Sequence, residues 1–157
     1  MKGIIVDVSH LSDTGFWNVA DIMQQKGVPF VASHSNSREM TNHPRNMTDE
    51  MIKRLAECGG VMGLNLSPHF LNNNEPKDGH SRIEDMVKHV LHIRKIGGSE
   101  VLSIGSDFDG IEGTLEVASP KDFDKLWEAL SKAGLSQSEL DKMWQYNARR
   151  VLEAVLK

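Results

Sequence analysis

Three short apolar runs each close on a side chain able to bind a metal or carry a proton. They end Val8-Ser9-His10, Ala32-Ser33-His34 and Gly105-Ser106-Asp107, and a fourth continues to Ser67-Pro68-His69. Imidazole and carboxylate are the donors of zinc and related divalent ions, and they are also the usual general acids and bases. A metal site and a metal-free acid–base pair both stay open at this point. Each residue alone has an ordinary reading, as a hydrogen-bonded loop histidine or a turn aspartate; the joint pattern is what points to a site. His69 flanks the same rim in a polar stretch, 68–79, that reads as mobile. His43 and His80 fall in loops and His89 and His92 on a polar helix stretch, so all four are expected to be solvated. Asp7 precedes His10 by three positions, which in a strand is the opposite face, so a structural partnership is expected for it. Arg45 lies in a long loop, 38–46, where a guanidinium would grip an anion bidentately.

The elements that must position these residues are four runs: 3–10 (GIIVDVSH), 28–34 (VPFVASH), 60–66 (GVMGLNL) and 101–107 (VLSIGSD). They are short and rich in Val and Ile, as strands buried on both faces are. Between and after them, apolar spacing predicts helices over 13–25, 48–57, 82–96, 120–132 and 137–156. The resulting alternation, β-α-β-α-β-α-β-α-α, implies a parallel sheet with right-handed crossovers. The C-terminal strand ends of such a sheet line its functional crevice, which is where His10, His34 and Asp107 fall. No Gly-x-Gly-x-x-Gly or P-loop pattern follows the first run, which removes the main argument for a nucleotide fold. Spacing leaves an open sheet and an arc of a (β/α)8 barrel in competition.

Bulk properties narrow the partners. A chain of 157 residues, 39% hydrophobic and 25% charged, has the make-up of a soluble globular protein with one core. A net charge of −4 with scattered Lys and Arg argues against a nucleic-acid surface. No apolar run approaches a membrane span, which takes about 18 residues. Cys58, the single cysteine, excludes an internal disulfide and is read as buried filler. With no secretory signal at Met1-Lys2-Gly3, a cytoplasmic location is expected. A start inside a strand, without a polar lead-in, reads as an internal initiation or a truncation.

The motifs Asp7-Val-Ser-His-Leu-Ser12, Ser33-His-Ser35, Arg45-Asn46 and Ser106-Asp-Phe-Asp-Gly110 together resemble the membrane dipeptidase (renal dipeptidase) family of zinc metallopeptidases. The resemblance covers nearly the whole chain. It implies a (β/α)8 metal-dependent-hydrolase barrel that cleaves dipeptides, often with a D-residue at the C-terminal position. His10 and His34 would then be two ligands of one zinc. Arg45 would hold the substrate carboxylate, and Asp107 would orient the attacking water and protonate the leaving amine. Asp109 shares the motif without an assigned step. The family's His-x-Asp, bridging Glu and substrate-binding His have no counterpart here, so the chain matches family strands five to eight.

The expectation is therefore a single domain, 1–157, of four βα units forming the C-terminal half of the barrel, plus a C-terminal helix. It should hold at most one weak Zn2+, be inactive alone, and either self-associate or pair with an N-terminal half. The alternative is a non-enzymatic folded remnant, or a metal-binding or interaction module. No anchor signal stands at Glu153-Ala-Val-Leu-Lys157, although animal members of the family are membrane-anchored.

Overall fold

The first two helices each begin where the sequence offers a cap. In the computed structural model, which describes residues 3–73 and 79–156, Ser12 caps α1 (Asp13–Lys26) by accepting from the Gly15 N–H. Gly27, at φ 62°, closes the same helix in the left-handed conformation that glycine adopts freely. Thr48 caps α2 (Asp49–Glu57), whose first turn carries Asp49 and Glu50 against the positive end of the helix dipole.

The strands between the helices are brief. β1 (Val31–Ala32), β2 (Val61–Leu64) and β4 (Leu102–Ile104) form one parallel sheet in the order β1-β2-β4. Val31 pairs with Val61, and Met62 with Leu102. The run at 3–10, expected as a full strand, instead makes one isolated parallel bridge, Asp7 to Val31. Two backbone bonds flank it, Val8 N to Val31 O at 2.8 Å and Val31 N to Val6 O at 2.9 Å. A run paired on one side with a two-residue strand has too few partners to extend the ladder.

Beyond β2 come a short α3 (Pro68–Leu71), β3 (His80–Ser81), α4 (Ile83–Gly97) and, after β4, β5 (Thr114–Leu115). β3 and β5 form a second, two-stranded parallel sheet that the apolar runs did not announce. It clips the loop after α3 to the loop after β4. The polar stretch 68–79 is helical at its start, while 74–78 lie outside the described residues.

A main core gathers Phe30, Ala32, Met62, Leu64 and Leu102 from the sheet segments with Phe16, Ile52, Leu55, Met86, Val90 and Ile93 from α1, α2 and α4. Burying each such large side chain contributes about 1.5–3 kcal/mol. The helix expected over 137–156 is instead three pieces: α6 (Gln137–Asp141), a π turn (Lys142–Tyr146) and α7 (Asn147–Val155), with α5 (Phe123–Lys132) before them. At the junction, buried Asn147 donates to the carbonyls of Ser99 and Leu102 at 2.7 and 2.9 Å. α7 places Val151 and Val155 against Val61 in a separate small cluster. No helix among the described residues is long and apolar enough to cross a membrane.

Candidate active site

His10 and His34 meet. Their Nε2 atoms lie 2.9 Å apart and their ring centroids 4.9 Å apart. Backbone clearance is what brings His34 there. A Cβ at Gly63 or Gly105 would overlap the carbonyl oxygen of Ser33, so these two glycines let the chain leaving β1 lie against β2 and β4. His10 sits at φ 74°, a left-handed conformation uncommon for residues other than glycine and concentrated at functional sites.

Hydrogen bonds fix the pair from behind. Asp7 accepts the N–H groups of Ser9 and Ser33, each at 3.0 Å, and the Ser33 hydroxyl at 2.5 Å. The Ser33 oxygen is 2.7 Å from His34 Nδ1, and the His34 N–H donates to Ser9 Oγ at 3.0 Å. Asp7 is thus the structural partner expected from its register. Burial works to raise its pKa, yet the bonds from Ser33 and Ser9 win and hold it below the usual carboxylate range. Desolvation lowers the pKa of His10, and the positive charge of Arg45 lowers it further against the pull of Asp107 and Asp7.

The loop carrying Arg45 is cross-braced. Ser37 and Met47 form a parallel bridge, and Asn46 Nδ2 donates to the carbonyls of Thr41 and Phe70 at 2.9 and 3.0 Å. Arg38 bonds Asn46 O and grips Asp13 with both terminal nitrogens, at 2.7 and 2.8 Å. Arg45 itself stacks its guanidinium 5.2 Å from the Phe70 ring centroid. Its Nε and Nη2 are buried without a hydrogen-bond partner in the protein. Burial lowers its pKa while Asp107 and Asp7 oppose, so the two carboxylates and this guanidinium share one field. A cavity of about 20 Å³ lies between Arg45, His10, Ser35 and Met47.

Asp107 also adopts a left-handed conformation, φ 62°. Its Oδ2 accepts Asn65 Nδ2 at 3.0 Å. Asn65 is held in turn by Asn36, whose amide bonds the Asn65 carbonyl and N–H at 2.9 and 3.0 Å. Asn36 and Asn65 were missed by sequence reasoning. A buried asparagine inside the apolar run GVMGLNL was the available signal. Asp109 is exposed.

The expectation of four solvated histidines fails at all four positions. His89 is fully buried: its Nδ1 accepts the Ser37 N–H at 3.1 Å and its Nε2–H donates to Leu71 O at 3.1 Å. Burial pushes its pKa down to about 4. His92 bonds Asp49 at 2.7 Å. His43 accepts the Arg45 N–H at 3.1 Å and lies against Phe70. His80, half-buried, is 3.1 Å from an Arg82 nitrogen. His89 falls three residues after Met86 and four before Ile93, so it lies on the apolar stripe of α4.

Two imidazoles with facing nitrogens are donors of the kind zinc takes. Among the described residues, however, no group of three or more His, Cys, Asp or Glu side chains is placed to hold one. Asp7 is committed to serines, and Asp107 to Asn65. The chain offers part of a donor set.

A model of the family described as Membrane dipeptidase (Peptidase family M19) matches residues 1–157. A protein of Klebsiella pneumoniae, described as in the pqqA 5′ region, is 33% identical over 150 residues, 96% of this chain and 54% of its own length. Dipeptidase tcpJ of Claviceps purpurea is 31% identical, over 98% of this chain and 35% of its own. A metallo peptidase from Rhodobacter sphaeroides, solved with a phosphinate mimic of the dipeptide L-Ala-D-Ala, superposes with a TM-score of 0.89. It is 29% identical, over 98% of this chain and 43% of its own. The chain thus spans about half, or less, of the length of these relatives.

Proposed function

Because this chain belongs to the membrane dipeptidase family, peptidase family M19, we propose that it supplies one side of the active site of a metal-dependent dipeptidase. Its parallel sheet is then an arc of a (β/α)8 barrel, and residues 1–157 are one half of the catalytic domain. The observation that carries the reading is Arg45, whose Nε and Nη2 are buried with no protein acceptor. An unpaired buried guanidinium is costly, and a carboxylate bound through two parallel N–H bonds relieves it. The free C-terminus of a dipeptide is such a carboxylate.

Asp107 is assigned the proton. Asn65 occupies Oδ2, and the other oxygen takes a proton from the attacking water as the C–O bond forms. The same proton passes to the amine nitrogen as the peptide C–N bond breaks, leaving two amino acids. His10 and His34 are assigned to one zinc as two of its donors. The remaining ligands would come from outside this chain.

Kinetics of the assembled enzyme separate these roles. Arg45→Met should raise KM for L-Ala-D-Ala by about 100-fold with a smaller effect on kcat, since a charge-assisted pair contributes about 2–3 kcal/mol. Asp107→Asn should lower kcat by about 100-fold or more with KM little changed. If Arg45→Met left KM untouched, the carboxylate assignment would be wrong.

A further inference from the structure

We propose that Asp7 and Ser33 are positioning residues that lock His34 as its Nδ1–H tautomer through a one-way hydrogen-bond relay. Ser33 Oγ lies between Asp7 Oδ2 at 2.5 Å and His34 Nδ1 at 2.7 Å, and a serine has one hydroxyl hydrogen to give. Asp7 already accepts two backbone N–H groups through Oδ1, an arrangement that favours its ionised form. An ionised carboxylate accepts and never donates, so the Ser33 hydrogen goes to Asp7. Ser33 Oγ must then accept from His34 Nδ1–H, and the lone pair of His34 is left on Nε2.

The next link follows. His34 Nε2 stands 2.9 Å from His10 Nε2, a distance at which two bare lone pairs repel. With Nε2 of His34 bare, this contact is a hydrogen bond when His10 Nε2–H donates, and the relay then runs His10 to His34 to Ser33 to Asp7. The His34 backbone is pinned independently, its N–H donating to Ser9 Oγ at 3.0 Å. Through one hydroxyl, Asp7 thereby fixes which nitrogen of His34 is free to accept. Sequence register had given Asp7 a structural role without a target; the target is the protonation pattern of His34. This inference holds whether or not the assembled protein cleaves dipeptides, because the relay is complete within the chain.

Long-range 1H–15N correlation of the histidine side chains in the metal-free chain at pH about 8, where free imidazole is neutral, reads the tautomer directly. The His34 signals are identified by their loss in His34→Gln. They should show a protonated Nδ1 and a bare Nε2. His89 serves as an internal standard of the opposite kind, since its Nδ1 accepts the Ser37 N–H and its Nε2 carries the proton. In Asp7→Asn the new amide can donate to Ser33 Oγ, freeing the hydroxyl hydrogen for His34 Nδ1, so His34 should shift to Nε2–H while His89 keeps its pattern. Ser33→Thr, which keeps the hydroxyl, should retain the wild-type pattern. A wild-type His34 protonated at Nε2 overturns the proposal without reference to any variant. So does an unshifted His34 in Asp7→Asn.

Discussion

Arg45 and His89 are two basic side chains drawn into the same loop region with opposite solutions to burial. Arg45 keeps its charge beside Phe70 and the fields of Asp107 and Asp7, whereas His89 gives its charge up and becomes an acceptor for Ser37. The pH dependence follows from the second. Above the ordinary histidine pKa, 6.5, His89 is neutral in both folded and unfolded chains, and no penalty arises. As pH falls from 6.5 towards about 4, the unfolded chain takes up a proton that the folded chain excludes, so stability falls. Below about 4 the loss levels off, at roughly 3 kcal/mol for a shift of this size. Urea unfolding across that range should show the decline, and His89→Gln should flatten it. Arg45 was legible as the cation of a long loop. His89 was not, because a histidine among charged neighbours reads as solvated until the loop donor that needs it is known.

Among the elements, the two glycines that admit Ser33 matter most for placing His34. Gly105→Ala would push a methyl group into the Ser33 carbonyl oxygen. Overpacking of this kind typically costs 1–3 kcal/mol, and backbone contact puts this case at about 3 kcal/mol or above. Chemical denaturation should register that loss, whereas Gly134→Ala, at an open site, should cost less and through backbone strain. Much of this scale was readable in advance. α1 and α2 fall within a residue or so of their expected bounds because caps and apolar stripes agreed, and α4 does so on its apolar stripe alone. The β3–β5 pair escaped because two-residue strands leave no periodic trace. The π turn before α7 escaped because its cause, Asn147 reaching Ser99 and Leu102, is a tertiary contact.

Over the whole molecule, apolar side chains remain uncovered beside the run at 3–10. Ile4 is 71% exposed and Ile22 52%, and they border a groove of about 300 Å³ shared with Val6, Met23, Val28 and Val155. The outer side of the 3–10 run is an edge in want of a neighbour. We therefore expect sedimentation at micromolar concentration to show self-association, and Ile4→Lys with Ile22→Lys to shift the chain towards monomer. A wild-type chain that stays strictly monomeric would contradict this. The most direct test of the central claim, that this chain is one side of a dipeptidase site, is hydrolysis of L-Ala-D-Ala with added zinc, measured with and without a polypeptide supplying the remaining barrel strands. The account predicts negligible turnover by the chain alone, turnover by the combination, and its loss in His34→Ala. A combination that binds tightly yet stays inactive would contradict the account and favour a non-enzymatic remnant, and turnover by the chain alone would contradict the half-site.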